Sequence, residues 1–542
     1  MPLVPANEQG MPTGAASLAG AKQRFSRNAV WNLFGFLAQV GCAFAVVPIL
    51  VHGLGGVQYG IWTLIGQTIT GMNLLDFGLS IGVSRYFARH HARDDRAEIS
   101  RLLSTGLAVS LVPAVLILLG GAGLAVWAPR FFHFPPALDL QVRVAIMLVA
   151  LAGALMIPGT ILGSAIPALS RFDLQQLRNI LWLSLRALLY WVVLRQGWGL
   201  VAVAAVALGV EIAGLTFGAV LARRLVPWIE LSWRHVSRQT LRPLMTFSFF
   251  AFLLSVSSQL IFYTDNIVVG AVLGPLAVAY FSVAGGLVDQ LRGSLKIVTT
   301  LYANLAAQIH AIEGLVQMRE LFLVGSRLAM LLILPGCIGL ALLGPEFLQL
   351  WLGGVYRDHS TAILLVLIAV VAVFALSISC TQVLYGMNRH RINAYVSLAE
   401  AGANLALSIV LVRRMGAIGV AWGTLIPALL FELVVLPIYT LRQLQVSLGR
   451  YLSGVIARPA LVGLPMAAWC GLCHRRHWVQ GWAQLVAAIA FGLVLFALAL
   501  RTYGIEAPER QVLERKLAGI SPRARRLLLG APARSDAASA AR

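Results

Sequence analysis

The sequence predicts an all-α polytopic membrane protein with about fourteen transmembrane helices, and three observations predict it. Of its 542 residues, 59% are hydrophobic and only 12% are charged, against about 25% charged in an ordinary soluble domain. The mean hydropathy is +0.82. Apolar blocks long enough to cross a bilayer recur along the whole chain, separated by short polar segments rich in arginine. A water-soluble enzyme is excluded, because such a chain has no polar coat. Disorder of the bulk is excluded, because there is too much apolar surface to bury.

Taken in order, residues 1–27 form a polar tail carrying Lys22, Arg24 and Arg27, without the apolar core of a cleavable signal. The first apolar block is therefore expected to remain in the mature protein. The predicted spans fall near 28–52, 59–84, 102–128, 144–168, 179–195, 199–222, 243–270, 274–300, 321–344, 362–386, 392–411, 417–441, 452–474 and 480–502. Pro48, Pro113, Pro158, Pro335, Pro427 and Pro437 interrupt them, as proline does in membrane helices, which it bends. The expected domains are the tail 1–27, an N-lobe 28–228, a C-lobe 240–445, a helix pair 451–502 and a basic tail 503–542.

Orientation follows from the basic residues. With the N-terminal tail inside, the inside segments hold 29 Lys and Arg and the outside loops 8. Both termini are thus expected on the cytoplasmic side. The net charge of +21 is accounted for by loops facing anionic membrane lipid, so no nucleic-acid partner is expected. The outside loops, at most about 15 to 17 residues long, leave no room for a catalytic domain. The basic residues are nearly all Arg, which points to a GC-rich, bacterial source.

The two halves repeat at an offset of 219 residues. Leu54-Gly55 matches Leu273-Gly274, His91 matches His310, Gly197 matches Gly416, and Val201-Ala202 matches Val420-Ala421. Six spans per half keep the orientation, so the repeat is parallel, with its axis along the membrane normal. Substrate is expected between such lobes.

The stretch Leu54-Gly-Gly-Val-Gln-Tyr59-Gly60-Ile-Trp62, followed by Leu74-Leu-Asp76-Phe-Gly78-Leu and Ser84-Arg85-Tyr86, resembles the N-terminal signature of bacterial polysaccharide-unit flippases. These are the O-antigen and exopolysaccharide exporters of the multidrug/oligosaccharidyl-lipid/polysaccharide (MOP) superfamily. Leu273-Gly-Pro-Leu-Ala-Val-Ala-Tyr280 is similar to the matching turn of the second lobe. The resemblance covers about residues 25–445. It implies two six-helix lobes and movement of a polyprenyl-pyrophosphate-linked oligosaccharide across the bacterial inner membrane by alternating access, for O-antigen, capsule or exopolysaccharide synthesis. It implies other polysaccharide-assembly proteins as partners. Many members have twelve spans, so the extra pair is a departure. The lipid-linked peptidoglycan precursor flippases have fourteen and remain an alternative.

A charge at mid-membrane is expensive and marks a functional candidate. Ser282, Asp289, Arg292, Lys296 and Thr299 share one face of the eighth span, and the offset of 219 places Thr70, Asn73 and Ser80 on the same face of the second. Arg292 and Lys296 suit an anionic substrate, although Asp289 and Arg292 could also simply pair with each other. Asn28, Asn32 and Gln39 step along the first span, and Ser255, Ser258 and Asp265 along the seventh; such groups suit sugar hydroxyls or interhelical hydrogen bonds. Asp76 could pair with Arg85, itself expected to snorkel to the interface. Arg186 and Glu211 lie at similar depth and are expected to form a structural ion pair. Glu400 and Glu432 share a depth with no intramembrane cation beside them in sequence, and could carry a proton.

Cys470-Gly-Leu-Cys473-His474 has the pattern of haem attachment or a redox motif without the context of either, though a strained disulfide there is conceivable. Gly78-x-x-x-Gly82 reads as helix packing. No histidine spacing suits a metal and no phosphate-binding loop is present, so no cofactor is expected. The rival readings are a cation-coupled drug exporter, whose typical acidic residue in the first span is missing here; a glycosyltransferase or polymerase, which would need a carboxylate-rich loop; and a non-transporting scaffold.

Overall fold

The computed structural model describes residues 15–504, except 73–75, 77, 92, 165, 167–168, 170–171, 243, 246–263, 313 and 388. For 15–30, 32–33, 172–173, 222, 225, 296–301, 303–312, 390 and 504 it describes the backbone alone. All regular structure among the described residues is helical. In a bilayer this is the expected solution, because a helix satisfies every backbone N–H and C=O within its own segment. Eleven of the described helices are long and apolar enough to cross a membrane, so the chain is an all-α polytopic membrane protein. The longest of them carries two predicted spans, while the seventh and eighth predicted spans run into residues outside the full description.

The chain divides into two compact units, residues 1–256 and 257–542. The first contains α1 (Ala15–Met72), α2 (Leu79–His91), α3 (Arg96–Phe131), α4 (Asp139–Gly163), α5 (Phe172–Arg195) and α6 (Leu200–Leu225). α1 spans the first predicted turn and kinks at Gly55 (φ 74°, ψ 164°), a backbone region open in practice only to glycine. The second predicted span, drawn as continuous over 59–84, is interrupted before Leu79, where α2 begins. The residues there explain the break. Gly78 takes φ +69°, and Asp76 Oδ2 accepts from the Ser80 hydroxyl at 2.7 Å and the Ser80 N–H at 3.4 Å, capping the new helix.

α4 lies against both α3 and α6, with Ala114 and Ile117 meeting Ala154 and Ile157 in a buried cluster. The segment after α6 straps back over α3. Ser100, Ser104 and Thr105, on consecutive turns of α3, accept the backbone N–H groups of Glu230, Ser232 and Ser237. Thr240 donates to Glu98, and the Arg96 guanidinium lies over the Trp228 ring. Helix side chains thereby satisfy backbone groups of a strap whose own regular structure before Ser237 is one 3-10 turn, Trp233–His235.

The second unit contains α7 (Thr264–Leu273), α8 (Pro275–Ile312), α9 (Leu315–Leu352), α10 (Gly354–Gly386), α11 (His390–Met415) and α12 (Ala417–Leu430). A π-helical turn, Phe431–Val435, joins α12 to α13 (Leu436–Leu444). A second π-helical segment, Leu452–Ala457, leads into α14 (Arg458–Arg475), followed by α15 (Trp482–Ala499). α10 packs on α8, α9 and α12. α14 and α15 bury Val462, Met466, Leu485 and Phe496 with Leu331 and Leu343 of α9. Cys470 and Cys473 are free thiols buried in that cluster.

The repeat reappears as backbone conformation. Gly55 and Gly274, 219 residues apart, take φ +74° and +83°; Gly197 and Gly416, equally spaced, take +77° and +69°. Each marks a tight turn between consecutive helices. A Cβ at Gly55 or Gly416 would meet nothing within 4 Å, so the need for glycine there is conformational. Gly55→Ala and Gly416→Ala should each lower stability by about 1–3 kcal/mol in thermal unfolding of the detergent-purified protein, whereas Gly41→Ala, mid-helix with open space around it, should be neutral or stabilising.

Candidate functional site

A cavity of about 900 Å³ opens in the first unit. One face of α5 furnishes much of its chemistry. Arg178, Trp182 and Arg186 recur every four residues, so they stack on one side of the helix, and Gln175 and Asn179 flank them. α6 contributes Glu211, α2 contributes Ser80 and Arg85, and α1 contributes Gln39. Three guanidinium groups thus face one carboxylate, and the cavity is net positive.

The internal partners leave much of this polarity available. Arg186 Nη2 donates to Glu211 Oε1 at 2.8 Å, with the two side chains 35% and 29% exposed. This pair, expected from the sequence as a structural contact, sits on the cavity wall. Among the described residues the Arg186 Nε has no acceptor. Trp182 packs edge-to-face on Phe217, ring centroids 5.6 Å apart, while among the described residues its indole N–H has no acceptor and Gln175 Oε1 no donor. Ser80 Oγ lies 3.1 Å from Thr160 Oγ1. Guanidinium forks, amides, a hydroxyl and an indole are a set suited to phosphate oxygens and sugar hydroxyls, and the apolar walls exclude water around them.

Of the predicted candidates, Gln39, Ser80, Arg186 and Glu211 meet at this cavity. Asn73 lies outside the described residues, as do the side chains of Asn32, Lys296 and Thr299. Arg178 was expected in a loop and instead stands inside α5. Its spacing from Trp182 and Arg186 is the signal that would have found it.

The remaining candidates belong to the second unit. Arg292 and Asp289 on α8 pair at 2.7 Å, and both stay partly open, 28% and 56% exposed. Asp265 on α7 is buried and accepts from the Thr424 hydroxyl at 2.9 Å. Thr424 also reaches the Val420 carbonyl, and Ser408 lies 3.5 Å from both Asn404 and that carbonyl. Glu400 and Glu432 are buried neighbours. α12 comes this close to α11 because Gly423 has no side chain: a Cβ there would fall 2.4 Å from Ser408 Oγ.

The fold is similar to that of solved transporters of the MOP superfamily. It overlays an inward-facing multidrug resistance MATE family transporter at TM-score 0.66, with 15% identity, covering 74% of this chain and 94% of that one. It overlays the lipid II flippase MurJ in an inward closed conformation also at 0.66, with 13% identity, covering 91% and 99%. Residues 25–302 match the family described as polysaccharide biosynthesis protein, and the chain belongs to that family. The uncharacterized membrane protein EpsK of Bacillus subtilis is 24% identical over 88% of this chain and 95% of its own length. A Shigella flexneri protein whose name proposes an O-antigen transporter is 23% identical over 76% and 97%. The protein is therefore a polytopic membrane protein of the polysaccharide biosynthesis family.

Because the Arg186–Glu211 pair is about a third exposed, its worth is that of a partly screened pair. A double-mutant cycle of Arg186→Gln and Glu211→Gln on thermal stability should give a coupling of about 1 kcal/mol.

Proposed function

We infer that the protein moves a lipid-linked oligosaccharide, carried on a polyprenyl diphosphate, across the bacterial inner membrane by alternating access, for the assembly of O-antigen, capsule or exopolysaccharide. The observation that carries this reading is the cationic cavity of the first unit. Arg85, Arg178 and Arg186 provide forks for diphosphate or acidic-sugar oxygens, while Gln39, Gln175, Ser80 and Trp182 suit sugar hydroxyls and ring faces. Arg292 of the second unit, with Lys296 beside it in sequence, is proposed for the same anion-holding role. Asp289 keeps the Arg292 guanidinium in place. A drug exporter selecting cations would be repelled by such an arginine set, so the anionic substrate is favoured.

Expression in a flippase-deficient host tests this reading through surface polysaccharide. The wild-type chain should restore export. Arg85→Gln with Arg178→Gln, and separately Arg292→Gln with Lys296→Gln, should each reduce it at least about tenfold at unchanged protein level, as loss of charge-assisted hydrogen bonds predicts. Arg292→Lys should be partly defective, because a point charge replaces the fork. Full export by both double variants would overturn the reading.

The positive-inside distribution supports both termini in the cytoplasm. Reporter fusions after Arg442 and Arg542 should read inside and a fusion after Arg476 outside. An outside reading at Arg542 would remove one span from the C-terminal pair.

A further inference from the structure

The second unit holds a buried polar seam that the anion-holding site does not use. Glu400, Asn404 and Ser408 are spaced by four on α11 and are 1%, 1% and 0% exposed. Opposite them lie Thr424 of α12 and Glu432 of the π-helical turn. The turn decides where Glu432 points. Pro437 has no N–H to return to the turn before it, and the Leu436 N–H bonds the Phe431 carbonyl five residues back. The extra residue rotates Glu432 relative to an uninterrupted helix, and it ends 8% exposed beside Glu400. Such bulges recur at functional sites.

The surroundings of the two carboxyls are neutral. Ser377 and Cys380 of α10 face Glu432, and Thr440 of α13 lies beside Cys380. α11 adds Glu400 itself, with Asn404 one turn on. Among the described residues, no Lys, Arg or His pairs with either carboxyl, and neither oxygen of Glu400 receives a donor from elsewhere in the protein. Two carboxylates cannot both stay charged side by side in a dry interior without a cation. A purely structural pair would have its lone pairs met by donors; here the Ser377 hydroxyl serves Glu432, and Glu400 has only that second acid beside it.

We propose that Glu400 and Glu432 form a proton-carrying pair, which binds one proton between them and exchanges it with water as the transporter changes state, so that proton movement drives substrate movement. The coupling part rests on the transport reading above. The balance is simple: a carboxylate oxygen takes a proton from water on the side where the seam is open, and the carboxyl returns it to water on the other side. The two states must differ in proton affinity for this to do work, and the π-helical turn is the element whose change of hydrogen-bond register would move one carboxyl away from the other.

The test reads the proton directly. Infrared difference spectra of the full-length protein in lipid vesicles, titrated between about pH 5 and about pH 9, should show the carbonyl-stretch band of a protonated carboxyl. Glu400→Gln and Glu432→Gln should each shift or weaken it, and the double variant should abolish it. Ser377→Ala should move the band without removing it. Glu346→Gln, which alters a carboxylate bonded to His474 at 2.6 Å, should leave it unchanged. Size-exclusion profiles report whether each variant is folded; a single-site variant suffices if the double one is not. In the flippase-deficient host, the double variant should lose at least about tenfold of the wild-type export. A band indifferent to both glutamates overturns the proton pair. Loss of the band with wild-type export overturns the coupling. If the band behaves as expected but the wild-type chain itself restores no export, the proton pair stands and the transport reading falls.

Discussion

Every feature of this protein depends on the absence of water from the bilayer interior. Backbone groups there must bond within their own segment, and polar side chains must find partners or face an aqueous opening. The first demand produces a chain in which all regular structure described is helical. The second makes each retained polar residue informative. The strap after α6 lies between predicted spans, and there Ser100, Ser104 and Thr105 of α3 accept its backbone N–H groups.

Against that background the two units differ in their polar chemistry. The first concentrates arginine around a cavity, with a single glutamate to hold one of the guanidinium groups in place. The second buries acids: Asp265 is satisfied by Thr424, whereas Glu400 and Glu432 face each other. Glycine marks both the hinges and the tight contacts. Gly55, Gly197, Gly274 and Gly416 turn the chain at repeat-related positions, and Gly423 lets α12 close on α11. The extra helix pair α14–α15 is part of the second unit's core, packed on α9 through Val462 and Phe496.

Much of this was legible in the sequence because hydropathy and lysine/arginine placement report directly on the bilayer. The helical class, the glycine turns spaced by 219 residues and the polar positions within spans follow from such local signals. What escaped depended on hydrogen-bond register and neighbours. The interruption before Leu79 lies hidden in a continuous apolar block, because Asp76 and Gly78 act through a cap and a positive φ and not through hydropathy. Arg178 was assigned to a loop because Arg171 and Asp173 lower the local hydropathy, though α5 starts at Phe172. The direction of Glu432 was beyond sequence reading, since it depends on a π-helical turn that Pro437 permits and packing against α10 and α11 completes.

The central claim, that the first unit's cavity holds an anionic lipid-linked saccharide, is tested most directly by native mass spectrometry of the protein purified in mild detergent from polysaccharide-producing cells. The account predicts a bound species whose fragments include a diphosphate and sugars, and its loss from protein carrying Arg178→Gln and Arg186→Gln. A bound species that is neutral or cationic, or a diphosphate-linked one retained in full by that variant, would contradict it.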